Sequence, residues 1–502
     1  MRNRFEQQQE LDATPINEVT INRKTRHQLA PLLAALQYIF ITPDLNEKIF
    51  TILEESIEGS TTRMGRPGMS LWEILVLGVL RLNLELDYDF LHDQANNHNE
   101  IRGILGVETK KVFYDGKFYS LQSIKDNVRL LDEATLQKIS EEVVKHGHQL
   151  KKKESGKADL ELRLKTDGFA VESNIHFPTD INLLWDSVRK SLDMIDIIDF
   201  RYGLTGWRKL NYLRKGVKKV YRIAAQIHQK KGKNYQSRIK KSVAEYLEKS
   251  RYIEAKIVAS LPELISLSVG DPVLISMISD LSFYHKMLIK HIDLVERRII
   301  KGEKIPHADK VFSIFEPHAE WVYKGKLHRP VELGHNVIVT TDQFQFILDH
   351  KVLEKETEKE QVIPLGVRLK EKWGKINKLY SISFDKGFTT ELGKQSLQMI
   401  FEEVILPKRG KKTGAQEVEE NRDIFTELKN KHSAVESNIN ELEHAGLDKV
   451  PDKKIDGFKR YVALGVLAYN LKRLGKIVLE QKLLATTIEL PNHHKQSKDK
   501  AA

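Results

Sequence analysis

Apolar side chains recur at helical spacing through the first part of the chain. Over residues 29–105 they follow the three-and-four-residue repeat of helices packed on a core, and strand signals are few. The clearest helix is predicted over residues 71–82, because Ser70 stands at its N-cap and Glu73 is placed to complete a capping box. This pattern predicts an all-helical amino-terminal domain.

A period of two, typical of strands, first appears after residue 159. Residues 160–166 and 169–177 alternate between apolar and polar positions, and the pair Asp167-Gly168 between them is typical of a tight hairpin turn. The charged run at 151–157, which precedes them, has the composition of a hinge. An α/β domain that opens with a hairpin is therefore expected after a boundary near residue 150.

The strand pattern is interrupted and later resumes. Residues 181–302 return to helical periodicity, with one apolar stripe formed by Leu210, Leu213, Val217, Val220, Ala224 and Ile227. Strand signals come back at residues 321–323, 336–341, 344–348, 379–384 and 403–406, and helices are predicted over 432–444 and 461–474. The fold class predicted is α/β with an all-helical amino-terminal domain and a helical insertion.

The length of 502 residues suggests about three domains at roughly 100 to 200 residues each. We predict a flexible leader at 1–21, a helical DNA-binding domain at 22–150, a catalytic domain at 158–190 and 303–480, a basic helical insertion at 191–302, and a disordered tail at 481–502. The chain has no cysteine, which excludes disulfides and thiol chemistry. The apolar run at 74–80 is too short to span a membrane, and no signal peptide is expected.

Positive charge is concentrated in one segment. The formal net charge is +11, yet residues 208–242 alone carry 13 Lys or Arg and no acid. Such concentration favours phosphate binding, although a solvated basic helix is the ordinary alternative. The cations chosen as DNA contacts are Lys215, Lys218, Lys219, Arg222, Lys230 and Lys231. The aromatic residues interleaved with them, which are candidates for stacking on bases, are Trp207, Tyr212, Tyr221 and Tyr235.

A second basic turn lies at residues 407–414. Its Lys408 and Arg409 are further candidates for phosphate contacts. The turn is not a nucleotide-binding P-loop, because no glycine stands at the position that a P-loop requires before Gly410-Lys411.

Candidate chemistry rests on carboxylates that follow strands or lie on a helix. Asp167 ends a strand-like segment and is followed by Gly168, and Asp385 ends another and is followed by Lys386-Gly387. Glu436 lies at the edge of the apolar face of the 432–444 helix. Taken singly, each is more often a turn or surface residue. Asp342 is the alternative to Asp385, and Glu443 is the alternative to Glu436. His432 is a secondary candidate for contact with a phosphate.

Five blocks of sequence, in order, carry a resemblance to a known family. They are MSLWEILVLGVLRLNLELDYDFLHDQANNHNEIRGILG, TDGFAVESNIHFPTDINLLWDSVRK, HAEWVYKGKLHRPVELGHNVIV, SFDKGFTTELGKQSL and HSAVESNINELEHAGLDKVPDKKIDGFKRYVALGVLAYNLKRLG. In these blocks the chain resembles the insertion-sequence transposases of the ISNCY group, a branch of the DDE superfamily with an RNase H-like fold. The match of Asp167, Asp385 and Glu436 to the family's catalytic triad requires a long insertion between the two aspartates.

The resemblance implies a DNA transposase that binds the terminal inverted repeats of an element and target DNA. Asp167, Asp385 and Glu436 would be catalytic and would bind Mg²⁺ or Mn²⁺; water would cut the element end, and the freed 3′-OH would attack target DNA. A homodimer or larger assembly on DNA, no membrane, and a cytoplasmic location at the bacterial nucleoid are expected. The alternatives are a stand-alone RNase H-fold nuclease and a catalytically inactive DNA-binding protein.

Overall fold

The computed structural model describes residues 2–5, 13–22, 27–57, 68–83, 87–108, 117–156, 160–230, 232–323 and 331–489. The protein is about 65% helical with a seven-stranded mixed sheet, so the predicted α/β class is confirmed at that level. The chain divides into two compact units, one formed by 1–174 with 320–502 and the other by 175–319. Each unit has its own apolar core.

Helices form the first part of unit one. They are α1 (Leu29–Ile41), α2 (Pro43–Ile57), α3 (Leu71–Asn83), α4 (Tyr88–Asn97), α5 (Asn99–Leu105), α6 (Leu121–Val128) and α7 (Glu133–Ser155). The capping box predicted for α3 is present, since the Glu73 amide donates to Ser70 Oγ at 3.3 Å and the Ser70 amide donates to Glu73 Oε2 at 2.9 Å. The helix therefore begins where the sequence predicts.

The prediction of a hinge at 151–157 is wrong for residues 151–156, and residue 157 lies outside the described residues. Helix α7 continues through Ser155 and ends at Gly156, whose φ of 64° is left-handed. Lys151 pairs with Glu154 at 2.8 Å, and Lys152 and Lys153 lie in the last turn, where cations interact favourably with the helix dipole. The charged residues at this helix end thus have the composition of a linker, although they form the last turns of a helix.

The sheet is built around β1. Its strands are β1 (Glu161–Ser173), β2 (Glu320–Tyr323), β3 (Val331–Thr341), β4 (Ile347–Val352), β5 (Lys378–Phe384), β6 (Glu403–Ile405) and β7 (Lys449–Val450). The strand order is β2-β3-β1-β5-β6, while β4 pairs with β3 and β7 pairs with β1. β3 is antiparallel to β1, whereas β5 is parallel to β1 and β6 is parallel to β5.

The hairpin predicted at Asp167-Gly168 is wrong. Both residues lie inside β1, where Asp167 pairs with Val339 and Gly168 pairs with Ile338 of β3. The pair is held extended because β3 bonds along residues 165–172 and β5 bonds along 161–166. Long-range pairing therefore overrides the local turn preference of an Asp-Gly pair.

Unit two is helical, as predicted for residues 181–302. It consists mainly of α8 (Asp180–Tyr202), α9 (Leu210–Lys230), α10 (Tyr235–Leu267) and α11 (Pro272–Val295). The unit begins at Ile175, so α8 belongs to it as a whole, and the sequence-based limit at 190/191 falls inside that helix. Periodicity alone does not mark this limit, because α8 is a continuous helix of 23 residues.

The rest of unit one comprises α12 (Glu358–Trp373), α13 (Glu391–Gln398), α14 (Gly414–Glu420), α15 (Asp423–Lys431), α16 (Ala434–Leu442) and α17 (Lys454–Glu489). Helix α17 packs on α1, α3, α7 and β4. The amino-terminal helices and the sheet therefore share one core in unit one. None of the helices in the described ranges has the length and apolar character needed to cross a bilayer.

The described parts of the predicted leader make defined contacts. Arg4 forms ion pairs with Glu47 and Glu54, both at 2.6 Å, and Ile16 is buried. At the other end, α17 extends to Glu489, and residues 490–502 of the predicted tail lie outside the described residues.

Candidate active site

Alternation along β1 places Asp167 on the same face of the sheet as three other polar residues. Leu162, Leu164 and Thr166 are buried on the opposite face, while Glu161, Arg163, Lys165 and Asp167 are exposed or half-buried. In the parallel register, Lys165 lies beside Ser383 and Thr166 lies beside Phe384. Asp167 and Asp385 are the residues that directly follow this last pair, and the charge of Asp385 acts on the Asp167 carboxyl.

The Asp167 carboxyl lies among other acids. Its Oδ1 accepts a hydrogen bond of 2.7 Å from the Gly168 amide. Burial, together with the negative charges of Asp385, Glu358 and Glu436, raises the pKa of Asp167 to about 6 against the opposing effect of that hydrogen bond. Two strands and two helices thus bring four carboxylates close enough to interact. The three acids chosen from sequence are among them.

Glu358 is the carboxylate that sequence reasoning missed. It is the first residue of α12, and two glycines leave room for its side chain. A Cβ built on Gly168 would lie 2.3 Å from Glu358 Oε1, and one on Gly387 would lie 3.0 Å from Oε2. Burial, followed by the charge of Asp385, raises the pKa of Glu358. In the sequence, Glu358 is one of four Glu that alternate with Lys and Thr over 354–360, and acids are ordinary at a helix start.

Glu436 lies on α16 with its side chain exposed. The apolar face predicted for this helix, Val435, Ile439 and Leu442, is buried. The alternative Glu443 lies beyond the end of α16, in a short π-helical turn over Glu443–Leu447.

His432 immediately follows α15 and faces the same group of residues. Its Nδ1 lies 3.0 Å from Ser383 Oγ, and its buried Nε2 has no hydrogen-bond partner within the described chain. Burial lowers the pKa of His432 to about 4, against the opposing effect of Asp385. The imidazole is therefore neutral at physiological pH and keeps one free nitrogen beside the carboxylates.

Asp342, the rival for the second aspartate, is fully buried in the turn between β3 and β4. Its Oδ1 accepts from the amides of Phe344 and Phe346 at 2.8 and 2.9 Å. Its Oδ2 hydrogen-bonds His148 Nε2 at 2.6 Å. Both oxygens are thus occupied in holding the turn against α7.

The donor chemistry of the carboxylate cluster fits a hard divalent cation. Carboxylate oxygens are the ligands that Mg²⁺ and Mn²⁺ prefer, and mutual repulsion of such groups is relieved by a cation. Within the described ranges, no three Asp, Glu or His side chains already stand at positions that would hold one ion. The side chains of Asp385 and Glu436, which are exposed, would have to rotate to close such a site.

The basic residues chosen on α9 share its exposed face. Lys215, Lys218, Lys219, Arg222 and Lys230 are exposed, while Leu210, Val217, Val220 and Ala224 are buried on the other side. Lys231 lies outside the described residues. In the part of the chain that the structure describes, none of the other five forms an ion pair. This face therefore offers positive charge that the unit does not neutralise.

The aromatic residues near α9 differ from the prediction. Trp207 is buried, and its Nε1 donates to Ser260 Oγ at 2.9 Å, so the prediction that it stacks on bases is wrong. Tyr221 stacks on Trp185, and the Tyr235 hydroxyl hydrogen-bonds His228 at 2.9 Å. Tyr212, at 76% exposure, remains a candidate.

The second basic turn, at 407–414, is partly neutralised by its own neighbours. Lys408 Nζ donates to Gln416 Oε1 at 2.8 Å, and Lys412 pairs with Glu420 at 2.7 Å. Arg409 is exposed. Of the two residues chosen there, Arg409 is the one presented to solvent.

The raised pKa of Asp167 leads to a prediction about the stability of the protein. Folding raises its pKa from 3.8 to about 6, so its charged form opposes folding above about pH 6 and ceases to do so below about pH 4. We expect Asp167→Asn to increase the unfolding free energy of metal-free protein at about pH 7.5 by about 1 to 3 kcal/mol, at 1.36 kcal/mol per pKa unit. The gain should vanish as pH falls through this window. Denaturant titrations with a chelator test this, and a decrease in stability at about pH 7.5 would contradict it.

The candidate site on unit one thus combines four acids and a neutral histidine. Unit two, considered by itself, presents a basic face on α9. Comparison of the chain with family models, with curated proteins and with solved structures gave no match.

Proposed function

We propose that this protein is a DDE-type DNA transposase that cuts the ends of an insertion sequence and joins them to target DNA. The observation that carries the proposal is that the charges of Asp385, directly after β5, and of Glu436, on α16, act on the half-buried carboxyl of Asp167 on β1. These are the residues that the resemblance to ISNCY transposases assigns to catalysis. They lie far apart in sequence, so their meeting is not a consequence of local composition.

The topology of unit one supports an RNase H-like catalytic domain. A long central strand, β1, has on one side the antiparallel β3, which pairs in turn with β4 in antiparallel fashion, and on the other side the parallel β5 and β6. The first aspartate lies on this strand, and the second follows the adjacent parallel strand. Unit two would then be an insertion between the first and second strands of that domain.

The acids would act by holding and orienting the reacting groups. Asp167, Asp385 and Glu436 would bind Mg²⁺ or Mn²⁺, which when bound activates an attacking oxygen and stabilises a leaving oxygen. Asp167 is fixed by the β ladder and by the Gly168 amide, whereas Asp385 and Glu436 are exposed and can adjust to a phosphodiester. The free Nε2 of neutral His432 is suited to donate to, or accept from, a group beside Asp385.

The DNA would be held mainly by positive charge. The exposed face of α9 presents Lys215, Lys218, Lys219, Arg222 and Lys230, which suits the phosphate backbone rather than base edges. Recognition of the terminal inverted repeats is proposed for the amino-terminal helices, with a homodimer or larger assembly joining the two ends. Action in the cytoplasm, at the bacterial nucleoid, is part of the same proposal.

One experiment separates this function from its alternatives. Purified protein is incubated with Mg²⁺, a labelled element end from its own locus and a target plasmid. Joined end and target support a transposase; cleavage without joining indicates a stand-alone nuclease. Binding without any cleavage indicates a catalytically inactive DNA-binding protein.

Glu358→Gln tests the acid found from the structure. Because Glu358 adjoins Gly168 and Gly387 and interacts with Asp385, we expect its removal to weaken Mg²⁺ binding about tenfold, the effect typical of a residue supporting a metal site. The cleavage rate should recover at higher Mg²⁺ concentration. Glu360→Gln, on the same helix turn but in the capping box with Thr357, is the control and should leave the Mg²⁺ dependence unchanged. A Glu358→Gln protein with wild-type Mg²⁺ dependence would contradict the assignment.

A further inference from the structure

A cavity of about 670 Å³ opens on the same face of the sheet as the carboxylates. β1 contributes Arg163 and Lys165 to its lining, β5 contributes Ser383, α16 contributes Ser437, and the turn after β3 contributes Phe344. Ser433 directly precedes α16, Ser437 follows Glu436 on that helix, and Lys165 precedes Asp167 by two positions on β1. The cavity therefore adjoins the proposed catalytic site along both elements.

Two cations in this cavity form no ion pair in the described ranges, although the charges of Asp342 and Glu427 act on Lys165 and Arg163 respectively. Within the described ranges, the Lys165 ammonium takes part in no hydrogen bond or ion pair. The Arg163 guanidinium also forms none; it lies 5.1 Å from the centroid of the Tyr380 ring. By contrast, Lys431 at the rim pairs with Glu427. An unpaired, half-buried cation is costly unless a ligand supplies the missing anion.

The spacing of charges along β1 matches a DNA strand that passes the site. Lys165 and Asp167 lie on one face, two residues apart, so their side chains emerge about 6.6 Å from each other. Arg163 lies a further two residues along. If a scissile phosphate lies at the carboxylates, the next phosphate of the same strand, one nucleotide away, is within reach of Lys165.

We propose that this cavity binds one unpaired nucleotide of the cleaved strand, adjacent to the scissile phosphate. The inference rests on the proposed function and specifies how its site holds DNA. Lys165 and Arg163 contact the phosphate, serine hydroxyls contact the sugar and the base edge, and the Phe344 ring contacts the base. A volume of 670 Å³ is typical of a small-molecule pocket, and it holds a single nucleotide rather than a base pair with both backbones.

The test compares two DNA duplexes that differ by one unpaired nucleotide. The full-length protein is titrated, without divalent metal, into a blunt duplex and into the same duplex carrying a one-nucleotide overhang of 2-aminopurine. We expect the overhang to be bound about tenfold more tightly, as one charge-assisted contact allows, with a change in 2-aminopurine fluorescence on binding. Equal affinity for both duplexes would overturn the proposal.

Two variants locate the effect in the cavity. Lys165→Met keeps the bulk of the side chain but removes its charge, and Ser437→Trp fills the cavity from an exposed position. Both should abolish the preference for the overhang and leave blunt-duplex affinity within about twofold, and thermal melting checks that each is folded. Lys370→Gln, which removes an exposed lysine of α12, is the matched control and should keep the preference. If Lys165→Met lowers the affinity for both duplexes equally, Lys165 is a general contact with the DNA backbone and the proposal fails.

This result is separable from the fate of the proposed function. Cleavage and joining with no overhang preference would refute the nucleotide pocket and leave the transposase standing. An overhang preference that Lys165→Met abolishes, in a protein without metal-dependent cleavage, would support the pocket and refute the transposase.

Discussion

Asp167→Asn, Asp385→Asn and Glu436→Gln are each expected to lower the rate of Mg²⁺-dependent end cleavage by about a thousandfold or more, because each removes several kcal/mol of charge stabilisation at the reacting phosphate. Each substitution removes a charge and little volume. Binding to the element end should stay within about threefold of wild type, since these acids repel rather than attract phosphate. Single-turnover cleavage and fluorescence anisotropy measure the two quantities.

Asp342→Asn is the control that separates the two candidate second aspartates. It removes a buried acceptor of the His148 hydrogen bond, so the protein should become less stable by about 1 to 3 kcal/mol yet keep metal-dependent cleavage below its melting temperature. The reverse outcome, an active Asp385→Asn protein and a folded but inactive Asp342→Asn protein, would show that Asp385 is not the second ligand.

The periodicity of the sequence was sufficient to place β2, β3, β5 and β6, whereas the strand predicted at 344–348 is displaced, since β4 is Ile347–Val352. β5 was predicted because Tyr380, Ile382 and Phe384 share one face of an alternating segment, and the strand is present with Asp385 directly after it. β1 was divided in two because Asp167-Gly168 favours a turn locally. The bonds that hold it straight come from β3, more than 160 residues away, and no local pattern encodes them.

Glu358 and the cavity depend on contacts that sequence spacing does not reveal. Glu358 reaches the site because Gly168 and Gly387 lack side chains where α12 approaches the sheet. Similarly, α17 packs on α1, α3 and α7 from the far end of the chain. Such proximity arises from the tertiary arrangement of long-range segments, whereas composition and periodicity report only on neighbours within an element.

Helix α9 presents the positive charge that the proposed function needs for DNA binding. Lys215, Lys218, Lys219 and Arg222 follow steps of three, one and three, which places them on one helix face. The buried residues Leu210, Val217, Val220 and Ala224 occupy the opposite face. The four cations can therefore engage one stretch of backbone together, and their removal should leave the core of unit two intact.

Replacing these four residues with Gln is expected to weaken binding to all DNA sequences alike. Removing one phosphate-binding cation should lower the slope of log K against log salt by about 0.9, so removing four should lower it by about 3.6. The decrease in affinity at low salt should reach several hundredfold or more. It should shrink as salt is raised, because salt also weakens the binding of these cations to phosphate in the wild-type protein. Anisotropy titrations over a series of salt concentrations, with end and random duplexes, measure both effects.

A variant with Lys286, Lys290, Lys301 and Lys304 replaced by Gln removes the same charge from other parts of unit two. Both variants lose the same charge, so long-range attraction to DNA falls equally in both. The slope of log K against log salt should therefore be shallower in the α9 variant than in this control only if α9 binds phosphates directly. If the two variants share one salt slope, the α9 face is solvated and the DNA path lies elsewhere. A different outcome is that the α9 variant loses affinity for the element end while its affinity for random DNA is unchanged. That outcome would show that the α9 face recognises DNA sequence or shape, because loss of a backbone contact lowers the affinity for both duplexes.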